Sequence, residues 1–371
     1  MTELSVRVKG TGTYLPGNPV PYDDITRFLG ELKDAPQSIQ KWYSRTHKIM
    51  KDIINISYCH YAIDPDSRKI KEDNVDMAVK ASLNALQKAD LKPEEIDIII
   101  FGGNYSHQMP PMSSRLQEAL GIDFCSELHI NSNCTSVYKA LLIAHDFLRL
   151  GRYKNALVVS SNISSSFLRS EYYNQQKIQK KDLFLRFYLC DGASAVVLQS
   201  SDTLQNGFFI ESTYMESPGC HKEATMGSSL PAYYENPLEV YNNCSHHISQ
   251  LFQKELKENF VENGHTIFFN GLKRMIKKDS INLTNIKSFL INMPTKYVVD
   301  SIVQECETIG IPKSCVFTTI DNMGYAGPPA AFISLDKLIQ NQTFKDQDLI
   351  LSFVTEVSKF MQAGFTIRYF E

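Results

Sequence analysis

The sequence lacks the features that mark several protein classes. No two of its eight cysteines have C-x-x-C spacing, which argues against a structural zinc site or a thioredoxin-type dithiol. Its 38 basic and 41 acidic residues leave a net charge of −3, without the basic excess usual in nucleic-acid-binding proteins. It has neither an apolar run near the roughly 20 residues that span a bilayer nor an apolar start typical of a secretory signal. Together with the scattered thiols, these features predict a cytoplasmic protein that has no membrane span and no nucleic-acid partner.

What is present is typical of a globular α/β protein. The chain has 371 residues, of which 43% are hydrophobic and 21% charged. Short apolar runs alternate with amphipathic segments, a pattern that favours sheets covered by helices. The pattern occurs twice, so we expect two pseudo-symmetric α/β halves, residues 1–203 and 204–371, without a low-complexity linker.

Helical periodicity indicates several individual elements. The sequence predicts a helix over residues 73–90, a long helix near 238–260 and another beginning at the paired prolines 328–329. In the long helix the pair at 246–247 is expected on a solvated face, because polar side chains are mostly exposed. The first helix is expected to bury one face, formed by Val75, Val79, Leu83 and Leu86.

Cys134 lies between a predicted strand and a predicted amphipathic helix. At a helix N-terminus, unpaired N–H groups and the helix dipole stabilise a thiolate. Such a thiolate can attack a thioester and form an acyl-enzyme, with a backbone N–H helping to bind the oxyanion. The alternative from position alone is a small buried cysteine that fills space between strand and helix.

Four motifs together, in this order and spacing, resemble β-ketoacyl-ACP synthase III of the thiolase superfamily. The resemblance runs nearly end to end and implies a five-layer αβαβα fold of two duplicated halves, usually in a homodimer. It also implies that Cys134 is the nucleophile. The motifs are GTGTYLP at residues 10–16, NSNCTS at 131–136, CDGASA at 190–195 and the turn at Gly324.

The chain departs from the family at the residues that assist the cysteine. The resemblance places Met293 where the family has its catalytic histidine and Tyr325 where it has an asparagine. A C-terminal glycine-rich turn, which supplies an oxyanion-hole N–H in the family, is replaced by residues 357–361. Methionine donates no proton, and losing a general acid/base or an oxyanion donor typically costs about 10²–10⁴-fold. Decarboxylative condensation is therefore expected to be impaired, and no other histidine is predicted as a substitute.

A run of basic residues on a predicted helix offers a candidate docking surface. The carrier proteins of this family are acidic, and basic residues in this part of the family bind them. The alternative is an ordinary solvated helix face, which charge runs usually form. The residues are Lys273, Arg274, Lys277 and Lys278.

Three functions follow from this resemblance. The first is an acyltransferase that loads an acyl group from acyl-CoA or acyl carrier protein onto Cys134 and passes it to a carrier-bound or small acceptor. It would act in fatty-acid-like or polyketide specialised metabolism, without metal or organic cofactor, binding CoA or phosphopantetheine thioesters. The second is a catalytically silent subunit of a heterodimeric ketosynthase. The retained Cys134 argues against this function, because a silent subunit has no chemical need for the nucleophile. The third, a 3-hydroxy-3-methylglutaryl-CoA synthase-like enzyme, needs a histidine that the sequence does not place.

Overall fold

The computed structural model describes residues 3–104, 109–228, 236–250 and 260–371. Strands and helices follow one another along these ranges, and the long strands β4, β6, β7, β13, β15 and β16 are largely buried. The strands are β1 Ser5–Tyr14, β2 Val20–Pro21, β3 Tyr58–Cys59, β4 Ile98–Gly103, β5 Ser126–Asn131, β6 Asn155–Asn162, β7 Gly192–Ser201, β8 Gly207–Glu216, β9 Met226–Gly227, β10 Ser249–Gln250, β11 Val261–Glu262, β12 His265–Thr266, β13 Ile286–Ile291, β14 Val316–Phe317, β15 Leu349–Thr355 and β16 Gln362–Phe370. The α-helices are α1 Ile25–Leu29, α2 Gln37–Ile54, α3 Asn74–Ala89, α4 Met112–Ala119, α5 Ser136–Arg149, α6 Ser165–Leu168, α7 Pro237–Asn242, α8 Ile267–Lys278, α9 Lys296–Glu307, α10 Ile320–Met323 and α11 Ala330–Asn341.

The main sheet repeats one strand order in its two halves. Its ten strands follow the order β14-β13-β15-β16-β8-β1-β7-β6-β4-β5, so from the centre outward β1-β7-β6-β4-β5 corresponds to β8-β16-β15-β13-β14. In each half the first three strands are antiparallel neighbours and the last three are parallel neighbours. The α/β fold of two pseudo-symmetric halves is therefore confirmed. The boundary between residues 203 and 204 falls in the connection from β7 to β8 and stays a prediction.

Helices α5 and α11 form the central layer. Leu141 of α5 and Phe332 of α11 belong to one buried apolar cluster with Val158 of β6 and Ile350 of β15, one strand from each half. Burial of large apolar side chains is the main favourable contribution to folding. The central pair of helices thus shares a core with both halves of the sheet.

Helix α3 buries only part of the predicted face. Val75 and Leu86 are buried as expected, but Leu83 is 46% exposed.

The small residues Ala81 and Ala85 of α3 are also fully buried. They pack against Gly10 and Gly12 of β1, where a Cβ atom would lie 2.3 Å from the Ala85 carbonyl oxygen and 2.2 Å from that of Ala81. Such contacts leave no room for larger side chains, so backbone proximity adds these two alanines to the buried face.

The predicted helix over residues 238–260 is confirmed at residues 238–242, which belong to α7, and is wrong at residues 243–250. Helix α7 ends at Asn242, and residues 249–250 form β10; residues 251–259 lie outside the described ranges. Cys244 adopts a left-handed backbone, with φ of 60°, which cannot continue an α-helix. The solvated face predicted for the histidine pair is also wrong, because the His247 side chain is fully buried beside Asp182.

Among the described residues, no helix combines the length and apolar character needed to cross a membrane.

Candidate active site

A cavity of about 550 Å³ contains Cys134. Five strands end at this cavity: β4, β5 and β6, which are parallel to one another, and β13 and β15, which are parallel to each other. Each ends in, or is followed directly by, a polar lining residue. The carboxyl ends of parallel strands are the usual location of ligand sites in α/β proteins. The five residues are Asn104, Asn131, Asn162, Asn292 and Thr355.

Cys134 lies in the short turn that joins β5 to α5. The Ser132 N–H donates to the Gly103 carbonyl oxygen at 3.1 Å, and the Ser136 N–H donates to the Asn133 carbonyl oxygen at 2.8 Å. These bonds close the turn on both sides of the cysteine, whose side chain is partly buried and lines the cavity. The polar turn therefore fixes the thiol at the N-terminal end of α5.

Tyr325 is brought to the thiol by the turn after α10. Gly324 has φ of +69°, and a Cβ atom there would lie 2.6 Å from the Cys190 sulfur, so the turn requires glycine. The Tyr325 carbonyl oxygen accepts a hydrogen bond from the Cys190 N–H at 3.0 Å. The Tyr325 Oη then lies 3.1 Å from the Cys134 Sγ, within hydrogen-bond distance.

Met293 lines the same cavity, directly after Asn292. Its side chain is 2% exposed and belongs to an apolar cluster with Phe353 and Val299. Cys134, Met293 and Tyr325 are thus brought together around one cavity. Asn292 is 6% exposed, and its amide has no hydrogen bond of ordinary geometry among the described residues; its side chain interacts only weakly with the Tyr138 hydroxyl.

The carboxylate of Glu356, which directly follows β15, occupies the start of α5. Its Oε2 accepts hydrogen bonds from the Thr135 N–H at 3.1 Å, the Thr135 hydroxyl at 2.6 Å and the Ser132 hydroxyl at 3.0 Å. Its Oε1 accepts one from the Ser358 hydroxyl at 2.6 Å. The Lys139 ammonium donates to the Ser132 hydroxyl at 2.8 Å. Glu356 is 1% exposed and lines the Cys134 cavity.

The electrostatics differ from the sequence-based expectation of a stabilised thiolate. Burial, and then the negative charge of Glu356, raise the pKa of Cys134 to about 12, although the hydrogen bond from Tyr325 lowers it. Burial, and then the Cys134 charge, raise the pKa of Tyr325 well above its ordinary value. Burial, and then the negative charge of Glu356 at the start of α5, therefore keep the thiol protonated at neutral pH.

None of the described residues that line this cavity is a histidine. His129 lies on β5 with its ring edge-on to Phe101, at 5.2 Å between centroids. His247 bonds to Asp182 at 3.2 Å and to the Asn174 N–H at 3.1 Å. No cluster of three or more histidine, cysteine, aspartate or glutamate side chains suited to a metal ion occurs in the described ranges.

The predicted docking residues lie on α8 and line a separate surface groove. Lys273, Lys277 and Lys278 are exposed, and the first two line the groove together with Arg274. The Arg274 guanidinium is bound to Glu216 at 2.7 Å through Nε, so its charge is already paired. No residue of this groove lines the Cys134 cavity.

Sequence reasoning missed Glu356 and Asn292. Asn292 stands next to the position compared with the family's histidine, and Glu356 directly precedes the segment that replaces the glycine-rich turn. The sequence signal for this site was an acidic residue, Glu356, just after the apolar run 349–354. A charge at the end of a buried strand requires hydrogen-bond partners.

Comparison with known proteins identifies similar chains along nearly the whole length. The family profile of 3-oxoacyl-[acyl-carrier-protein (ACP)] synthase III matches residues 128–219. A β-ketoacyl-[acyl-carrier-protein] synthase III of Clostridium perfringens is 24% identical over 354 residues, covering 94% of each chain. The solved structure of AbyA1, a tetronic acid condensing enzyme, has a TM-score of 0.78 at 19% identity and covers 98% of this chain and 99% of that one. Xanthomonas campestris OleA with lauric acid and lauroyl-CoA has a TM-score of 0.74 at 15% identity, covering 98% of this chain and 99% of that one.

These findings agree with the repeated strand order and with the cysteine between β5 and α5. The structural likenesses show the fold, and the profile covers the segment that contains Cys134. The resemblance inferred from the motifs is confirmed: the chain is similar to β-ketoacyl-ACP synthase III, at modest sequence identity.

Proposed function

We propose that this protein is an acyltransferase that carries its acyl group on Cys134. The observation that supports this most is the position of the thiol, inside a cavity of about 550 Å³ at the junction of β5 and α5. The volume falls in the range of small-molecule sites. A cysteine so placed can form a thioester with the substrate, which divides the transfer into two steps.

The cavity lining suits an acylated pantetheine arm. Asparagine amides at the strand ends offer donors and acceptors to the amide groups of the arm. Apolar side chains offer a surface to the acyl chain. They include Phe167, Leu185, Leu189, Ile248 and Met361.

The proposed acyl transfer has two steps, loading of Cys134 and transfer to the acceptor. The Cys134 sulfur attacks the thioester carbonyl of acyl-CoA or acyl carrier protein, the carbon–sulfur bond of the donor breaks, and the donor thiol leaves with the proton. A carrier-bound or small acceptor then attacks the Cys134 thioester, and its proton returns to the sulfur. Met293 supplies no proton and Tyr325 only one donor, so we expect transfer to a heteroatom acceptor rather than decarboxylative condensation.

The setting proposed for this activity is fatty-acid-like or polyketide specialised metabolism. The names of the similar proteins support it, since one is a tetronic acid condensing enzyme and another has lauroyl-CoA bound. No metal or organic cofactor takes part in the proposed steps. A homodimer, or a heterodimer with a second synthase-like chain, forms part of the same proposal.

A second candidate is a catalytically silent subunit that supports an active partner. The raised pKa of Cys134, to about 12, favours it, because a protonated thiol is a poor nucleophile. The negative charge of Glu356 beside the thiol points in the same direction.

Intact-protein mass spectrometry tests both candidates. The protein is incubated with a panel of acyl-CoAs and acyl carrier proteins, beside the variants Cys134→Ala and Cys220→Ala. Cys220 is exposed and reports non-specific acylation. We expect one acyl adduct on the wild type and on Cys220→Ala, and none on Cys134→Ala. If none of the donors produces an adduct, the result contradicts acyl transfer and favours the silent subunit.

A further inference from the structure

The Tyr325 hydroxyl has the sulfur of Cys134 as its hydrogen-bond partner. The distance from Oη to Sγ is 3.1 Å, and no other hydrogen-bond partner of this hydroxyl occurs among the described residues. The other two phenols that line the cavity, those of Tyr172 and Tyr188, bind partners that do not line it. Tyr325 is therefore the phenol of the described lining whose hydroxyl contacts the reacting atom.

The position of this hydroxyl is fixed by the residues around it. Tyr325 is buried, forms a parallel β-bridge with Leu189, and has its ring centroid 6.2 Å from that of Tyr188. Burial, and then the charge of Cys134, raise the pKa of Tyr325 well above its ordinary value, so the phenol keeps its proton at neutral pH. A buried donor that is held in place in this way can stabilise a developing charge without reorganisation.

The donors at the start of α5 are already engaged. The Thr135 N–H and the hydroxyl groups of Ser132 and Thr135 all donate to the Glu356 carboxylate. These donors do not serve an oxyanion of the substrate while Glu356 is charged. An oxyanion that develops beside Cys134 therefore gains most from a donor that comes from another element of the fold.

Acylation of Cys134 removes the acceptor that the Tyr325 hydroxyl has in the free protein. A thioester sulfur, like the thioether sulfur of methionine, is a weak acceptor, and a buried hydroxyl without a partner is unfavourable. The carbonyl oxygen of the acyl group is attached to the carbon next to the sulfur, so it lies within reach of a hydroxyl 3.1 Å from that sulfur. This oxygen is the acceptor that restores the hydrogen bond of Tyr325.

We propose that the Tyr325 hydroxyl is an oxyanion donor in the Cys134 reaction; this inference rests on the acyl transfer proposed above. In the first step the Cys134 sulfur bonds to the donor carbonyl carbon, the carbonyl electron pair moves to the oxygen, and that oxygen accepts the hydrogen bond of Tyr325. The carbonyl re-forms as the donor carbon–sulfur bond breaks, and the donor thiol leaves with the Cys134 proton.

The second step uses the same hydrogen bond. The acceptor attacks the Cys134 thioester, and Tyr325 again binds the oxygen that carries the negative charge. When the carbon–sulfur bond breaks, the sulfur takes the proton of the acceptor and regains its contact with Tyr325. Tyr325 keeps its own proton throughout, and its single donor suits the single oxyanion of acyl transfer.

The test compares Tyr325→Phe with Tyr153→Phe in two reactions of Cys134. Tyr153 is a matched control because its hydroxyl also binds one side chain, that of Ser126 at 2.9 Å, and it does not line the cavity. Iodoacetamide alkylation needs the thiolate but forms no oxyanion. Acylation by p-nitrophenyl butyrate passes through an oxyanion. Both rates are measured by mass on the peptide that contains Cys134.

The two rates separate an oxyanion donor from an effect on the thiol alone. In both cases Tyr325→Phe raises the pKa of the thiol, so alkylation at a fixed, mildly alkaline pH becomes several-fold slower. If Tyr325 binds the oxyanion, acylation by the ester becomes about 10²–10³-fold slower. If Tyr325 acts only on the thiol, acylation slows by the same factor as alkylation, which overturns the inference. Tyr153→Phe is expected to match the wild type in both reactions.

Infrared spectra of the acyl-enzyme provide a readout that does not depend on the pKa of the thiol. Cys134 is acylated with an ester whose carbonyl carbon carries an isotopic label. A hydrogen bond to the carbonyl lowers its stretching frequency, so the labelled band should move to higher frequency in Tyr325→Phe, and an unchanged band overturns the inference. If a thermal melt shows that the variant unfolds, the wild-type band decides. A band lower than that of a thioester in an apolar solvent supports the donor, and an equal frequency overturns it.

The ester separates this inference from the proposed function. Ester acylation that depends on Tyr325, without any adduct from acyl-CoA or acyl carrier protein, supports the oxyanion donor and overturns the acyltransferase. Adducts from acyl-CoA that form equally fast on the wild type and on Tyr325→Phe support the acyltransferase and overturn the donor. A wild-type Cys134 that the ester does not acylate also overturns the donor.

Discussion

Thr135 donates both its backbone N–H and its hydroxyl to Glu356 Oε2, at 3.1 and 2.6 Å. The carboxylate and the threonine come from β15 and α5, one element from each half of the fold. The first turn of α5 thus binds a protein anion at the place where a helix terminus could stabilise a charge on the substrate or thiol.

The Tyr325 hydroxyl is expected to assist ionisation of the thiol. Tyr325→Phe removes the hydrogen bond that lowers the pKa of Cys134, so the pKa rises and the thiolate fraction falls. Iodoacetamide alkylation at a fixed pH should become several-fold slower. Tyr172→Phe is the control, because its hydroxyl lines the same cavity but donates to the His246 carbonyl oxygen. Equal rates for both variants would contradict the role of Tyr325.

Asn292 is expected to reduce stability. Its buried amide interacts only weakly with the Tyr138 hydroxyl among the described residues, and an unsatisfied buried polar group costs about 1–3 kcal/mol. Asn292→Leu should therefore raise the free energy of unfolding by about 1 kcal/mol or more in urea denaturation. Asn162→Leu should lower it, since the Asn162 amide donates to Ser164 and to the Ala326 carbonyl oxygen. A loss of stability in both variants would show that Asn292 is satisfied in the folded protein.

The glycines of β1 are expected to be indispensable for packing. Gly12→Ala places a Cβ atom 2.2 Å from the Ala81 carbonyl oxygen, so α3 must move away from the sheet. Overpacking of this kind costs about 1–3 kcal/mol, and a contact with backbone belongs at the upper end. Gly227→Ala is the control because no atom lies within 4 Å of its added Cβ. Thermal unfolding should show a lower Tm for Gly12→Ala alone; similar Tm values would argue against the tight contact.

The exposed lysines of α8 are expected to matter for carrier proteins but not for CoA. Charge reversal of Lys273 and Lys277 should slow loading from an acidic acyl carrier protein several-fold, because exposed charges act mainly by steering the association of the two proteins. The effect should be larger at low salt, where these charges are less screened. Loading from acyl-CoA should not change. Lys313→Glu combined with Lys345→Glu reverses two exposed charges outside the groove and controls for the same change in net charge. An equal loss with both donors would contradict a docking role.

The order of the elements was predictable because strand and helix periodicities differ. The strand and the amphipathic helix predicted on either side of Cys134 correspond to β5 and α5. The close packing of Ala81 and Ala85 of α3 against β1 was not predictable from hydrophobicity, since it depends on the distance between two backbones. The helix expected over 238–260 failed for a local reason, the left-handed Cys244, which no apolar pattern reports.

The residues of the site were predictable where they lie in or next to a sequence motif. The position of Cys134 between a strand and a helix predicted the nucleophile. Met293 and Tyr325 were predicted because they stand at the positions where the family has its histidine and asparagine. The contact of Glu356 with Thr135 joins residues 221 positions apart, so only the folded chain brings them together. The protonated state of the thiol depends on that contact and on burial, and neither is encoded locally.

The pairing of β1 with β7 has a consequence for how the chain acquires its fold during synthesis. Ser5 lies opposite Ser201, and Tyr14 lies opposite Ala193. Contacts this distant in sequence raise the contact order and slow folding, because the loop between them must close first. Until the ribosome has delivered residues 192–216, β1 lacks both of its neighbours. The nascent N-terminal segment therefore exposes a strand with two free edges, the condition under which chaperone binding competes with aggregation.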